Sequence, residues 1–367
     1  MLAAIALGMT AANSPLADVY AFVHHFPLRL SAARLVVEGP LIAWINQGLL
    51  AIFFFHIGLH IKREMIEGAL SKPGRAALPA ISALGGMAAP ALIYLAFSAG
   101  DPEALRGWAI PIATDVVLVL GLLSFFGAVV SAGLLAFVMA VTIFDDLGAV
   151  IIIALFYGEI QTSWYLIAII AGLVGLGVLN RTGSAAAALY LVFGGVLWTG
   201  LVGSGLEGAI SGAIIGLSLP LGAFPKHSYL RAERRVAPIS LFFVVPVFAF
   251  FNSGVALGGG GTGWASDPAA HGIIAALLLG KPLGVMLGTI CALRMRVGAL
   301  PPQTTLRDVA CAALLTGIGF TMSLFIATAA FDDPSRIDAA KLAILLGSSI
   351  SALLASAAII VSIKRTA

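Results

Sequence analysis

The sequence predicts an all-α polytopic membrane protein, and three observations predict it. Of 367 residues, 60% are hydrophobic and only 10% charged, whereas soluble domains carry roughly a quarter charged. Mean hydropathy is +1.07. Apolar segments recur along the whole chain, separated only by short runs of Gly, Pro or charge. Since no polar linker divides it, residues 1–367 read as a single integral-membrane domain.

Taken in order, Met1 to Asn13 is apolar but shorter than the roughly 20 residues a spanning helix needs. No basic region precedes it, which argues against a signal peptide, so it reads as a first helix truncated at the N-terminus. Next, Phe26-Pro-Leu-Arg-Leu30 and Arg34-Leu-Val-Val-Glu38 flank Ser31-Ala-Ala33, and an extramembrane β-hairpin is expected near residues 28–37. Spans are expected at 41–66, 77–99, 107–126, 132–157, 164–181, 185–200, 204–219, 237–257, 271–293, 308–331 and 339–363. With the first segment this makes about twelve transmembrane helices. Cys291 and Cys311 fall inside apolar stretches and read as core thiols.

Loop charges test that topology. With the N-terminus inside, the inner loops hold Lys62, Arg63, Lys72, Arg75, Arg181, Lys226, Arg231, Arg234, Arg235, Arg294, Arg296, Arg307, Lys364 and Arg365. Only Arg29, Arg34, Arg106, Arg336 and Lys341 fall outside, together with the acids Asp101, Glu103, Glu159, Asp267, Asp332, Asp333 and Asp338. The bias follows the positive-inside rule and puts both termini in the cytoplasm. The basic balance therefore belongs to short membrane loops and gives no reason to expect nucleic acid. Lipid is the surrounding partner.

Asp115, Asp145, Asp146, Glu207 and Lys281 are left at membrane depth. A charged residue at a helix centre costs about 2.5–3.5 kcal/mol on insertion scales, so each is a functional-site candidate. Asp145-Asp146 lies in Val141-Thr-Ile-Phe-Asp-Asp-Leu-Gly-Ala149. Neighbours on a helix point about 100° apart, so the two need not share a cavity. If they do, they form a coupled pair able to hold protons or a hard cation such as Na⁺ or Li⁺. Asp115 follows Pro111 and Thr114, which weaken the helix there. Thr316-Gly-Ile-Gly-Phe-Thr-Met-Ser323 weakens another span with two glycines. Two interrupted spans, each the middle one of three, suggest inverted repeats formed by spans three to five and ten to twelve. Lys281 either neutralises a carboxylate or faces helix C-terminal carbonyls.

These residues resemble the NhaA-type Na⁺/H⁺ antiporter family. The resemblance rests on Trp44-Ile-Asn46, Gly58-Leu-His-Ile-Lys-Arg-Glu64, Gly107-Trp-Ala-Ile-Pro111, Ala113-Thr-Asp115, Asp145-Asp-Leu-Gly-Ala149 with Ala154-Leu-Phe-Tyr157, Phe248-Ala-Phe-Phe-Asn252, Gly280-Lys-Pro-Leu-Gly284 and Gly317-Ile-Gly-Phe-Thr-Met-Ser323. It implies that Asp146 binds the cation, that Asp145 accepts protons or pairs with Lys281, and that Thr114 lines the site. The spans at 107–126 and 308–331 would be discontinuous and cross at mid-membrane. There Asp115 would offset the positive half-helix N-termini and Lys281 the negative C-termini, and Asp115 would also count with Thr114, Asp145 and Asp146 among the cation- and proton-binding residues. It further implies electrogenic, pH-regulated exchange of cytoplasmic Na⁺ or Li⁺ for external protons by alternating access, in a bacterial inner membrane, serving sodium and pH homeostasis. Neither a cofactor nor a catalytic residue is implied. A homodimer through the hairpin is implied.

Departures from the family pattern gather elsewhere. His60 stands where a glutamate is usual, Gln47 where an acid is common, and Glu207 where a histidine is expected. Glu233 keeps an acid linked to pH sensing, but Arg234 and Ala237 replace its expected histidines. His60, Glu64, Glu233 and Glu207 are therefore the pH-response candidates. Histidine changes charge in the physiological range, so His60 is expected to dominate over a Glu233 held charged by Arg231, Arg234 and Arg235. The rival reading is an intramembrane aspartyl protease, but it needs facing acids on separate helices and a Gly-x-Gly-Asp motif that is absent.

Overall fold

The computed structural model describes residues 1–32, 35–68, 71, 73–127, 130–158, 163–184, 186–220, 226–255 and 263–366. Arg34, Lys72 and Glu159 of the loop-charge pattern lie outside these residues, as do the side chains of Arg75, Lys226, Arg231, Lys364 and Arg365. The chain packs as two compact units, Met1–Glu64 with Val150–Gly254, and Met65–Ala149 with Val255–Ala367.

The first unit opens with α1 (Leu2–Ala12) and α2 (Ala17–His24), which meet at 110° where Asn13, Ser14 and Pro15 stop the helix. Strands β1 (Pro27–Ala32) and β2 (Leu35–Pro40) then form the expected hairpin, antiparallel, with Arg29 opposite Glu38. Their ion pair (3.6 Å) is exposed on both sides and contributes little. Four further helices follow: α3 (Leu41–Ile66), which ends just past the unit boundary, α8 (Leu166–Thr182), α9 (Ala187–Ser204) and α10 (Ile210–Ser218). The last element is α11 (Lys226–Ile239, continuing through a π-turn at Ser240–Val244 into Val245–Ser253).

One expected span is shorter than the sequence suggests. After Ser204, the last residue of α9, residues 205–219 contain only the nine helical residues of α10, because α9 ends in a left-handed turn at Gly205 (φ 91°). Leu206 N–H then bonds back to Leu201 O at 2.9 Å, which closes the helix end. Glu207 consequently sits in a turn and not on a helix.

The second unit holds α4 (Pro73–Ser98), the broken pair α5 (Pro102–Ile112) and α6 (Val116–Phe125), and α7 (Ala132–Phe156), whose last turns belong to the first unit. Later in the chain come α12 (Pro268–Arg294), the broken pair α13 (Leu306–Thr316) and α14 (Phe320–Ala330), and α15 (Pro334–Thr366). The two breaks bend the chain by 41° and 44°. Each triplet thus runs long helix, broken helix, long helix, as the repeat pattern anticipates. Seven helices among the described residues are long and apolar enough to span a membrane, or ten if each bent pair is one span.

A correction concerns α15. It begins five residues before the expected start of 339, so Lys341, counted above with the outer loop, is buried within the helix (7% exposed). Asp333 allows this early start, because its side chain accepts from Ser335 N–H and replaces a missing backbone partner.

α4 and α12 touch backbone to backbone. Gly284 meets Gly85 O, and a side chain on Gly280 would run into the Pro90 backbone at 2.6 Å. Small residues permit such approach where lipid gives no hydrophobic drive to bring helices together. Between those two glycines is Lys281. A buried hydroxyl bond, Ser82 to Thr289 at 2.8 Å, ties the same helices one turn further on.

Candidate functional site

The site lies in the second unit, where both broken helices give up their ladders. Residues 113–115 are extended between α5 and α6, and Gly317–Gly319 interrupt α13 and α14. Here the two chains pair directly: Asp115 N–H donates to Ile318 O at 2.6 Å. Inside a bilayer every freed backbone group needs a partner, and side chains from two helices, α14 and α15, supply them. Ser323 Oγ donates to Ile110 O (2.7 Å), Ser351 Oγ to Leu314 O (2.6 Å), and Gly319 N–H donates to Ser348 Oγ (3.2 Å).

Asp115 caps both half-helices at once. Oδ1 accepts from Leu118 N–H (3.0 Å) at the start of α6. Oδ2 accepts from Thr321 N–H (3.0 Å) and Thr321 Oγ1 (2.6 Å) at the start of α14. Two positive dipole ends and three donors therefore meet one fully buried carboxylate.

Asp145 and Asp146 have different surroundings, as 100° of helix rotation dictates. Asp145 Oδ2 accepts from Lys281 Nζ at 2.5 Å and from Thr114 Oγ1 at 2.7 Å. The Thr114 hydroxyl also lies 3.0 Å from Thr316 O, and its single proton serves one acceptor at a time. Lys281, entirely buried, directs its ammonium at this carboxylate. A π-turn at Ala276–Gly280 immediately precedes it and resets the register with which α12 presents it. Asp146 is 5% exposed. Neither Asp145 Oδ1 nor Asp146 Oδ1 has a hydrogen-bond partner among the described residues.

Charge then decides what the site lacks. Three carboxylates share this core with one ammonium. Asp115 is satisfied by two helix ends and Asp145 by Lys281, which leaves Asp146 with no ion pair of its own among the described residues. A buried charge without a partner costs several kcal/mol, so Asp146 calls for a proton or a small cation. Two free, buried carboxylate oxygens on consecutive residues are suitable ligands for either. This arrangement does not suit a protease dyad, in which two acids face each other and share one proton.

The pH-response candidates all lie in the first unit. His60 Nδ1 is 3.4 Å from Glu233 Oε1, and Arg63 Nη1 donates to Glu233 Oε2 at 2.9 Å. Arg63 Nη2 also reaches His60 Nδ1 (3.2 Å) and Glu64 Oε1 (3.5 Å). His60 and Glu233 therefore belong to one cluster, in which Arg63 holds Glu233. Arg234 and Arg235 are exposed instead. On the turn below, His56 interacts electrostatically with His60, Glu233 and Arg63. Glu207 stands apart from this cluster, hydrogen-bonded by the Gln47 side chain, with its buried Oε2 unpaired among the described residues. Gln47 also accepts from Gly208 N–H at 2.5 Å through Oε1.

Sequence reasoning missed Thr321, Ser323, Ser348, Ser351, Arg63 and His56 as members of these clusters. Thr321 and Ser323 sit within the glycine motif already noted, and His56 lies one helical turn from His60. Ser348 and Ser351, scattered on an apolar helix, carry no signal in sequence.

Comparison with known proteins identifies the family and a related fold. The Na⁺/H⁺ antiporter 1 family matches residues 1–359. The Na⁺/H⁺ antiporter NhaA of Shewanella sp. (strain MR-7) is 45% identical over 361 residues, covering 96% of this chain and 92% of that protein. The protein of the same name from Shewanella oneidensis is 43% identical over the same share of each chain. In fold, the chain is similar to the sodium proton antiporter MjNhaP1 from Methanocaldococcus jannaschii at pH 8, with a TM-score of 0.58 and 16% identity, covering 97% of this chain and 92% of that one. With the broken crossing helices, the buried aspartates and a match over nearly its full length, the chain belongs to the Na⁺/H⁺ antiporter 1 family.

Proposed function

We propose that this antiporter exchanges cytoplasmic Na⁺ or Li⁺ for external protons at Asp145 and Asp146, electrogenically and under pH control, by alternating access. The observation that supports it most is the pair of buried, unpartnered oxygens Asp145 Oδ1 and Asp146 Oδ1 beside the Lys281–Asp145 contact. A cation takes Asp146 and the free oxygen of Asp145, and Thr114 swings its hydroxyl between Asp145 and Thr316 O as the site fills and empties. Protons compete for the same oxygens. On the return leg both carboxylates carry a proton, so two protons enter for each Na⁺ that leaves and one net charge moves. Asp115 takes no cargo in this scheme and holds the crossing together.

The pH response is assigned to the His60–Arg63–Glu233 cluster with Glu64, and separately to Glu207 with Gln47. A bacterial inner membrane, cytoplasmic termini and a homodimer joined through the β1–β2 hairpin complete the proposal. Proton movement in everted membrane vesicles, measured on adding Na⁺, Li⁺ or K⁺ across a pH series, tests it. Na⁺ and Li⁺ should discharge the proton gradient and K⁺ should not. Equal responses to all three ions would refute the assignment.

A further inference from the structure

We infer that α2 is an in-plane membrane-surface anchor, with Val19, Phe22, Val23 and Phe26 as its lipid-facing side. Three observations carry this. First, α2 leaves α1 at 110°, so the two cannot form one straight span. Helix α1 packs along α11: Gly8 meets Phe250 O, and Ser253 Oγ donates to Ile5 O at 3.3 Å. A helix turned through that angle from a neighbour of a spanning helix runs along the bilayer surface.

Second, the level of α2 is set by the end of that span. Tyr20 hydroxyl lies 2.9 Å from both Phe250 O and Phe251 O, and His24 Nε2 lies 3.1 Å from Phe251 O. These carbonyls close the last turn of α11, whose span ends at Ser253. Helix C-terminal carbonyls have no intrahelical donors, so α2 supplies a cap at the bilayer boundary. Amphipathic rings are enriched at that depth.

Third, the helix divides into three faces. Tyr20 and His24 face protein. Asp18 and His25, seven residues apart, are exposed and polar. Val19 (57% exposed), Phe22 (68%) and Val23 recur at helical spacing, and Phe26 (45%) continues the stripe with its ring 6.1 Å from that of Phe22. One side to protein, one to water and one apolar is the pattern of an interfacial helix lying flat. Acyl chains of the outer boundary region are the occupant that fits an apolar stripe held at this level.

Single spin labels on the full chain in nanodiscs test this, placed at 18, 19, 22 or 25 in a variant with Cys291→Ser and Cys311→Ser. Labels at 19 and 22 should be reached by oxygen and shielded from a water-soluble nickel reagent, at a depth of about 5–10 Å. Labels at 18 and 25 should show the reverse. Two results would overturn the inference. In one, nickel reaches 22 as readily as 18, which leaves the stripe in water. In the other, spin–spin broadening at 22 disappears on dilution with unlabelled protein, which puts a second copy on that face.

Discussion

At the scale of single residues, each carboxylate of the site meets a different charge: Asp115 two helix N-termini and Asp145 the Lys281 ammonium. Asp146 has no ion pair of its own among the described residues, and Asp146→Asn keeps the shape and removes the charge that offsets cation dehydration. Sodium-dependent proton flux should vanish while folded protein still reaches the membrane, and residual flux with unchanged apparent affinity would contradict the ligand role. Lys281 meets Asp145 at zero exposure. Removing one partner of a buried pair typically costs about 3–5 kcal/mol, so Lys281→Ala should clearly lower thermal stability in detergent. An unchanged unfolding midpoint would show that the ammonium is solvated. The identity of these residues was legible in sequence, since a charge among apolar neighbours stands out. The pairing of Lys281 with Asp145 was implied by the family resemblance and not by residue spacing, because the π-turn before Lys281 and the rotation between neighbouring aspartates set which carboxylate it meets.

At the scale of elements, the breaks at 113–115 and 317–319 were legible because Pro111 and two glycines mark them. That one aspartate caps both half-helices follows from their crossing, which joins residues some two hundred positions apart. Asp115→Ala removes two caps, each worth about 1 kcal/mol, and the unfolding midpoint should fall by more than it does for Thr321→Val. Equal losses would mean that only the Thr321 hydroxyl contact matters. The length of α10 was misread because hydropathy does not register the left-handed turn at Gly205. The buried start of α15 was misread because Lys341 looks like a loop charge. Near that start, Arg336 pairs with Asp101, which caps α5 through Glu103 N–H and Ala104 N–H. The Arg336 hydrogen bond holds the Asp101 carboxyl below its ordinary value. A depressed acid stabilises the fold above the ordinary carboxylate range, and that contribution is lost as pH falls through the folded value. Thermal stability of the wild type should therefore decline with acidification more steeply than that of Arg336→Gln, and parallel curves would remove this contact from the acid response.

At the scale of the whole molecule, the aspartate site and the His60–Arg63–Glu233 cluster belong to different units. Under the proposed assignment, transport chemistry and its pH set-point are open to separate alteration. His60→Gln should broaden activity toward acidic pH at saturating Na⁺ without reducing the maximal rate, and a profile that overlays the wild type would return the pH response to the aspartate pair. Sequence showed that His60 departs from the family pattern while Glu233 keeps its acid, but not that Arg63 joins them, because the contact spans 170 residues of chain. The central claim is exchange of sodium for protons at Asp145 and Asp146 with net charge movement. Purified protein in proteoliposomes on a voltage-sensing support, given a jump in Na⁺ concentration, reads it most directly. The account predicts a sodium-induced transient current that weakens as protons compete and is absent in Asp146→Asn. A current of undiminished size in that variant, or electrically silent exchange in the wild type, would contradict it.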